Sequence, residues 1–262
     1  MENERRVQQK APASRYALLD ELRGLDLVSM MLYHACWDMM FLFGIWMDWY
    51  IGWPGRLWQQ SICWVFILLS GFCAPFGRHM LRRGVTVFAA GALVTAVTLV
   101  FMPEGRIIFG VLTFLGTAML LTGVLEPLLK KVMPAVGLAV SAVLFAVCYP
   151  VGLGWVGLGG WKLMLPQSLY ANYFTAFFGF YPDWFYSADY FGLLPWLFLF
   201  WAGYYLHKAV GRRRMEPLRR PVCPALGWMG RHSLLLYLLH QPVIYGVLTV
   251  VFLLLRRGGG AL

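Results

Sequence analysis

Apolar residues fall into seven runs along the chain, each closed by a charged, glycine-rich or aromatic break. The runs cover about Gly24–Trp46, Gln60–Gly77, Gly84–Met102, Ile107–Leu129, Ala135–Val151, Phe191–Val210 and Ser233–Leu255. A helix needs roughly 20 mainly apolar residues to cross about 30 Å of hydrocarbon. Runs of this length therefore predict an all-α, polytopic transmembrane helical bundle of about seven spans. Residues 17–255 make up that domain, residues 1–16 a polar, disordered cytoplasmic arm and residues 256–262 a C-terminal tail. The longest connection, Gly152–Asp189, is rich in Gly, Tyr, Phe and Trp, and Lys162 is its only basic residue. It is too aromatic for a solvated linker and reads as an external or re-entrant segment capping one face of the bundle.

The first run breaks its own pattern. LDELRGLDLVSMMLYHACWD, Leu19 to Asp38, opens with charge and then places His34 and Asp38 where hydrocarbon is expected. At about 100° per residue, Arg23 and His34 fall within roughly 20° of each other, about 16 Å apart along the axis. Leu27, Met30 and Asp38 lie close to the same line. Ionisable groups inside a membrane are expensive and face a polar interior. This helix therefore lines a polar site or pathway.

Composition narrows the class. The chain is 60% hydrophobic and 13% charged, against about 25% charged residues in a soluble domain. The net charge of +10 comes from basic residues clustered between apolar runs, which points to topology and away from nucleic acid. Placing these loops in the cytoplasm sets the N-terminus inside, consistent with a bacterial inner membrane and the lipid bilayer as first partner. The five cysteines show no CxxC spacing, so neither a disulfide framework nor a metal site is expected.

His34 and Asp38 are the catalytic candidates. A carboxylate at i+4 can accept from one imidazole nitrogen and fix the tautomer, leaving the other nitrogen as a general base; packing is the alternative role for this histidine. Arg23, at the cytoplasmic end of the line, suits a phosphate or pyrophosphate, or else pairs with Asp20 and Asp26 at i−3 and i+3. Arg106 opens the fourth run, either snorkelling or joining the site. Tyr237, His240 and Gln241 lie in the last run. Pro242 there removes a backbone donor and creates polarity that needs a partner, and His240 and Tyr237 are expected to turn toward the first span. Ser70 and Gly71, in FILLSGF, are expected to pack against the first helix.

These stretches together resemble a known family. Arg23 followed after ten residues by His34 resembles the R-x10-H signature of the membrane acyltransferase-3 superfamily. With FILLSGF, RIIFGVLTFLG, LLPWLFLFWAGYYL and GRHSLLLYLLHQPVIY in this order, the chain is similar to the heparan-alpha-glucosaminide N-acetyltransferase catalytic family from about Ala17 to Leu248. The resemblance implies an enzyme that moves an acetyl or other acyl group from a cytosolic acyl-CoA (acetyl-CoA or another) to a glycan or small-molecule acceptor. With that activity, Arg23, Arg106, Tyr237, His240 and Gln241 are the expected substrate-binding residues around His34 and Asp38. Two positions depart from the pattern. Thr113 stands where relatives often carry a histidine, and the loop Ile45–Trp58 lacks the histidine essential in the lysosomal branch. The acceptor is therefore left open, as is homodimer formation. The rival reading is a non-enzymatic membrane carrier for a lipid or small solute.

Overall fold

The computed structural model describes residues 15–77 and 79–257. Nearly all of the expected N-terminal arm and most of the C-terminal tail lie outside the described residues. In chain order the first helices are α1 (Ala17–Phe41), α2 (Asp48–Ile51), α3 (Trp53–Cys73), α4 (Met80–Phe101), α5 (Val111–Leu129) and α6 (Pro134–Cys148). A hairpin of β1 (Trp155–Leu158) and β2 (Trp161–Met164) follows, then α7 (Tyr173–Phe178), α8 (Leu193–Met215), α9 (Pro224–Arg231) and α10 (Ser233–Arg257). The hairpin is a departure from the all-α expectation.

Among the described residues, five helices are long and apolar enough to cross a membrane: α3, α4, α5, α6 and α10, with α3 and α6 prolonged by short 3-10 turns. The two other expected spans correspond to α1, of 25 residues, and α8, of 23. At about 1.5 Å per residue either helix reaches past a hydrocarbon layer of about 30 Å. Their apolar character is diluted by Asp26, His34 and Asp38 in α1 and by Trp196, Trp201, Tyr204, Tyr205 and His207 in α8. α1 begins at Ala17, ahead of the expected Gly24, and stops at Phe41, short of Trp46. It stops because the N–H groups of Leu42 and Phe43 both donate to the Asp38 carbonyl, at 2.8 and 3.1 Å, and Gly44 then adopts a positive φ of 76°.

The chain divides into two compact units, one of residues up to Ile62 and from Val210 onward, the other Cys63–Ala209. In the first, α9 runs antiparallel against the start of α1. Gly24 lies against the Leu226 carbonyl and Gly230 against the Asp20 carbonyl, so closely that a Cβ at either would overlap backbone. Further along α1, Leu27, Met30 and Ile62 form a buried cluster against which Tyr33, Trp58, Leu236 and Tyr237 pack. Trp58 donates to the Ser29 hydroxyl at 2.8 Å and Tyr50 to the Tyr33 carbonyl at 3.1 Å. Trp58 is thus packed on α1, whereas Trp46 and Trp53 are 66% and 73% exposed.

In the second unit small residues bring helix backbones together. Gly91 of α4 abuts Thr113, and Gly116 of α5 abuts Phe88. Gly71 sits on the Phe200 carbonyl and Gly203 on that of Leu68, so Gly71 packs against α8 and not against the first helix. This is the packing that small residues permit between membrane helices. Trp201 donates to the Thr122 hydroxyl at 3.0 Å inside this core. The connection between α6 and α8 is organised and not a loose loop. Strands β1 and β2 pair antiparallel across a Gly159–Gly160 turn, with Leu158 opposite Trp161. Asn172 and Thr175 form a capping box on α7, and Tyr190 donates to the Ala176 carbonyl at 2.6 Å.

Candidate active site

The polar line of α1 faces inward. Leu27 is 1% and Asp38 0% exposed, while Leu25 and Leu32 on the opposite side are 53% and 56% exposed. α10 covers the inward line. Its Leu236 and Tyr237 pack at the level of Leu27 and Met30, its His240 ring meets His34, and its Gln241 meets Asp38. The contacts advance in the same order on both helices, so α1 and α10 run parallel.

Four side chains meet at the far end of this seam. The His34 and His240 rings have centroids 4.8 Å apart at 60°. Nδ1 of His240 lies 2.6 Å from the Tyr237 carbonyl oxygen. Gln241 donates through Nε2 to Oδ1 of Asp38 at 2.6 Å. His240 is 7% exposed, turned toward α1 as expected of a histidine in an apolar run. The expected imidazole–carboxylate contact within α1 is not made: the Asp38 carboxylate takes its hydrogen bond from Gln241, and His34 makes none among the described residues. A donor from a neighbouring helix thus takes the acceptor that the i+4 partner was expected to use.

Arg23 begins the same line. Its Nη1 lies 3.5 Å from Oδ1 of Asp20 and it makes no ion pair with Asp26. Asp20 is held more closely by Arg15, through Nε and, at 3.1 Å, through Nη2. A guanidinium has five N–H donors, and beyond this loose ion pair Arg23 makes no hydrogen bond among the described residues. The Arg-rich loop before α9 is pinned against the start of α1. Both carboxylate oxygens of Glu21 accept from the Val222 N–H, at 2.9 and 3.0 Å, and the Arg219 guanidinium lies 4.8 Å above the Tyr16 ring.

Arg106 belongs to the other unit and has local partners there. It donates to the Pro103 carbonyl at 3.3 Å, and its guanidinium lies 5.5 Å from the Tyr186 ring centroid. The segment after it is held by the long connection. Ser187 Oγ accepts from the Ile108 N–H at 2.9 Å, and Asp189 accepts from the Val111 N–H, the first of α5, at 3.1 Å. An open, mostly apolar groove of about 630 Å³ lined by Tyr149, Trp155, Tyr181, Tyr190 and Trp196 also belongs to this unit. It offers tyrosine rings and hydroxyls but no imidazole or carboxylate.

Neither Glu21 nor Asp189 stands out in the sequence as a site-building residue. Glu21 lies in the first turns of α1 and Asp189 in the connection before α8, and a partner of each is a backbone N–H 201 or 78 positions away. Gln241 does stand out, as a polar residue beside Pro242, but nothing in the sequence pairs it with Asp38.

Long apolar helices and a buried polar centre between two of them define an integral, polytopic membrane protein. The family model for the heparan-alpha-glucosaminide N-acetyltransferase catalytic region matches residues 15–242. The chain belongs to that family, whose general activity is acetyl transfer by a membrane protein. No curated protein and no solved structure matches the chain.

Proposed function

We propose that the protein is a seven-span membrane acyltransferase that moves an acetyl or other acyl group from cytosolic acyl-CoA to a hydroxyl or amine acceptor, of which a sugar is the first to try. The observation that carries this reading is the seam itself: an under-used guanidinium at one end and, on the same line, a part-buried His34 against a buried His240, beside a buried carboxylate. Arg23, with the basic loop next to it, binds the phosphates of the donor through charge-assisted hydrogen bonds. The thioester reaches along the seam to His34 and Asp38, which together with His240 form the catalytic cluster. Gln241 and Tyr237 are the further substrate contacts.

The parallel course of α1 and α10 supports seven spans. After α1, the crossings of α3, α4, α5 and α6 would return the chain to the side on which α1 ended. A parallel α10 needs one more crossing, and α8 is the long helix available for it. Basic loops then lie in the cytoplasm of a bacterial inner membrane, with the N-terminus inside.

The test is transfer by the reconstituted full chain. Acetyl-CoA on the side of the basic loops, with glucosamine opposite, should yield free CoA thiol and acetylated product. Movement of solute with no consumption of acyl-CoA would instead establish a carrier.

A further inference from the structure

Three buried polar atoms without a partner among the described residues belong to this one site: Oδ2 of Asp38, Oε1 of Gln241 and Nε2 of His240. Asp38 and Gln241 are joined directly, and His240 precedes Gln241 in the chain. Two of the three atoms are acceptors by their chemistry, a carboxylate oxygen and an amide carbonyl oxygen.

The character of the third follows from the other side of its ring. Nδ1 of His240 sits 2.6 Å from the Tyr237 carbonyl oxygen. A carbonyl oxygen can only accept, so Nδ1 carries the hydrogen and donates it. In the neutral ring Nε2 then holds a lone pair and no hydrogen. Tyr237 thus fixes the tautomer of His240 through its backbone, the task expected of Asp38 toward His34. No hydrogen bond among the described residues does the same for His34. The site therefore offers three buried acceptors to a group that gives up a hydrogen.

We propose that His240 is a catalytic residue, the base that takes the proton of the acceptor, with Asp38 and Gln241 receiving the acceptor's other hydrogens. The assignment rests on the acyl-transfer reading above. In the step, the hydrogen of an acceptor O–H or N–H passes to Nε2 as the oxygen or nitrogen bonds to the thioester carbonyl carbon. The C–S bond breaks and its electron pair leaves on sulfur. The imidazolium returns its proton to that thiolate, so the products are an ester or amide and CoA thiol. Throughout, Nδ1–H continues to donate to Tyr237, which stabilises the ring in its charged form.

His240→Asn is the informative substitution, because its amide NH2 can replace Nδ1–H toward Tyr237 while the basic nitrogen is lost. In the full chain reconstituted with acetyl-CoA and glucosamine, it should bind acetyl-CoA as the parent does and lose about 10²–10⁴-fold in transfer rate. Nitrogen NMR of the parent with labelled histidine should place the His240 proton on Nδ1. A proton on Nε2, or His240→Asn transferring at the parental rate, overturns the assignment. A parent protein that releases no CoA thiol overturns the acyl-transfer reading itself, and the assignment with it.

Discussion

The Asp38–Gln241 hydrogen bond should be measurable as a coupling between α1 and α10. Asp38 is 0% exposed, and Gln241 supplies its hydrogen bond at 2.6 Å. Gln241→Met removes that donor and leaves the carboxylate without a partner, while Asp38→Leu leaves the amide buried with nothing to donate to. Either single change should destabilise the protein by about 1–3 kcal/mol, the cost of stranding a buried polar group. The double variant strands neither, so its cost should fall below the sum of the two. Hydrogen bonds between membrane helices couple by about 0.6 kcal/mol on average and up to about 1.7, and full burial on the α1 side places this pair toward the upper figure. Reversible unfolding of the four proteins in mixed micelles, followed by circular dichroism, gives the cycle. Costs that add to within about 0.3 kcal/mol, the behaviour of independent sites, would refute the pairing. The double variant should also be folded and inactive, which separates the role of the pair in stability from its role in the site.

Three further outcomes follow from the same geometry. Arg23→Ala should weaken acyl-CoA binding by about 1.5–3 kcal/mol, the worth of a charge-assisted hydrogen bond, whereas His34→Ala should keep the affinity and lose turnover; calorimetry beside single-turnover transfer tells them apart. A thiol reagent that cannot cross membranes, applied outside intact cells, should modify Trp184→Cys and leave Arg213→Cys untouched, since basic loops resist translocation; the reverse pattern would invert the topology. Gly24→Ala, whose Cβ overlaps the Leu226 carbonyl, should cost about 1–3 kcal/mol by overpacking, while Gly246→Ala, with nothing within 4 Å, should be neutral or stabilising in the same unfolding assay.

What could be read from the sequence was whatever follows from the period of a single helix. The line Arg23–Leu27–Met30–His34–Asp38 needs only the rotation per residue, and in the structure it is the inward side of α1. The turn of His240 toward that line needs only the cost of a histidine in lipid. The β1–β2 hairpin was within reach as well, since Gly159–Gly160 between two short apolar stretches is a hairpin signal. Its aromatic surroundings instead suggested an irregular cap, because Trp, Leu and Met on both faces of β2 conceal the alternation that marks a strand.

The chemistry within the site was less legible, for a physical reason. A sequence offers each polar residue its neighbours at i+3 and i+4, so Asp38 was paired with His34, and Arg23 with both Asp20 and Asp26. In the structure Arg23 keeps its pairing with Asp20, but the groups deeper in the helix answer to what approaches from elsewhere. Gln241 comes to Asp38 from 203 positions away, and the backbone of Tyr237 settles the His240 tautomer. Arg15 shares Asp20 with Arg23, whose ion pair to it is the looser of the two. An apolar surround makes this competition strict, because hydrocarbon offers no hydrogen bonds and each donor goes to the acceptor it reaches best. The same strictness gives the three unpartnered atoms at the seam their meaning. In an interior where Asp38, Gln241 and His240 each satisfy one polar atom and strand another, the stranded atoms mark where an acceptor's hydrogens belong.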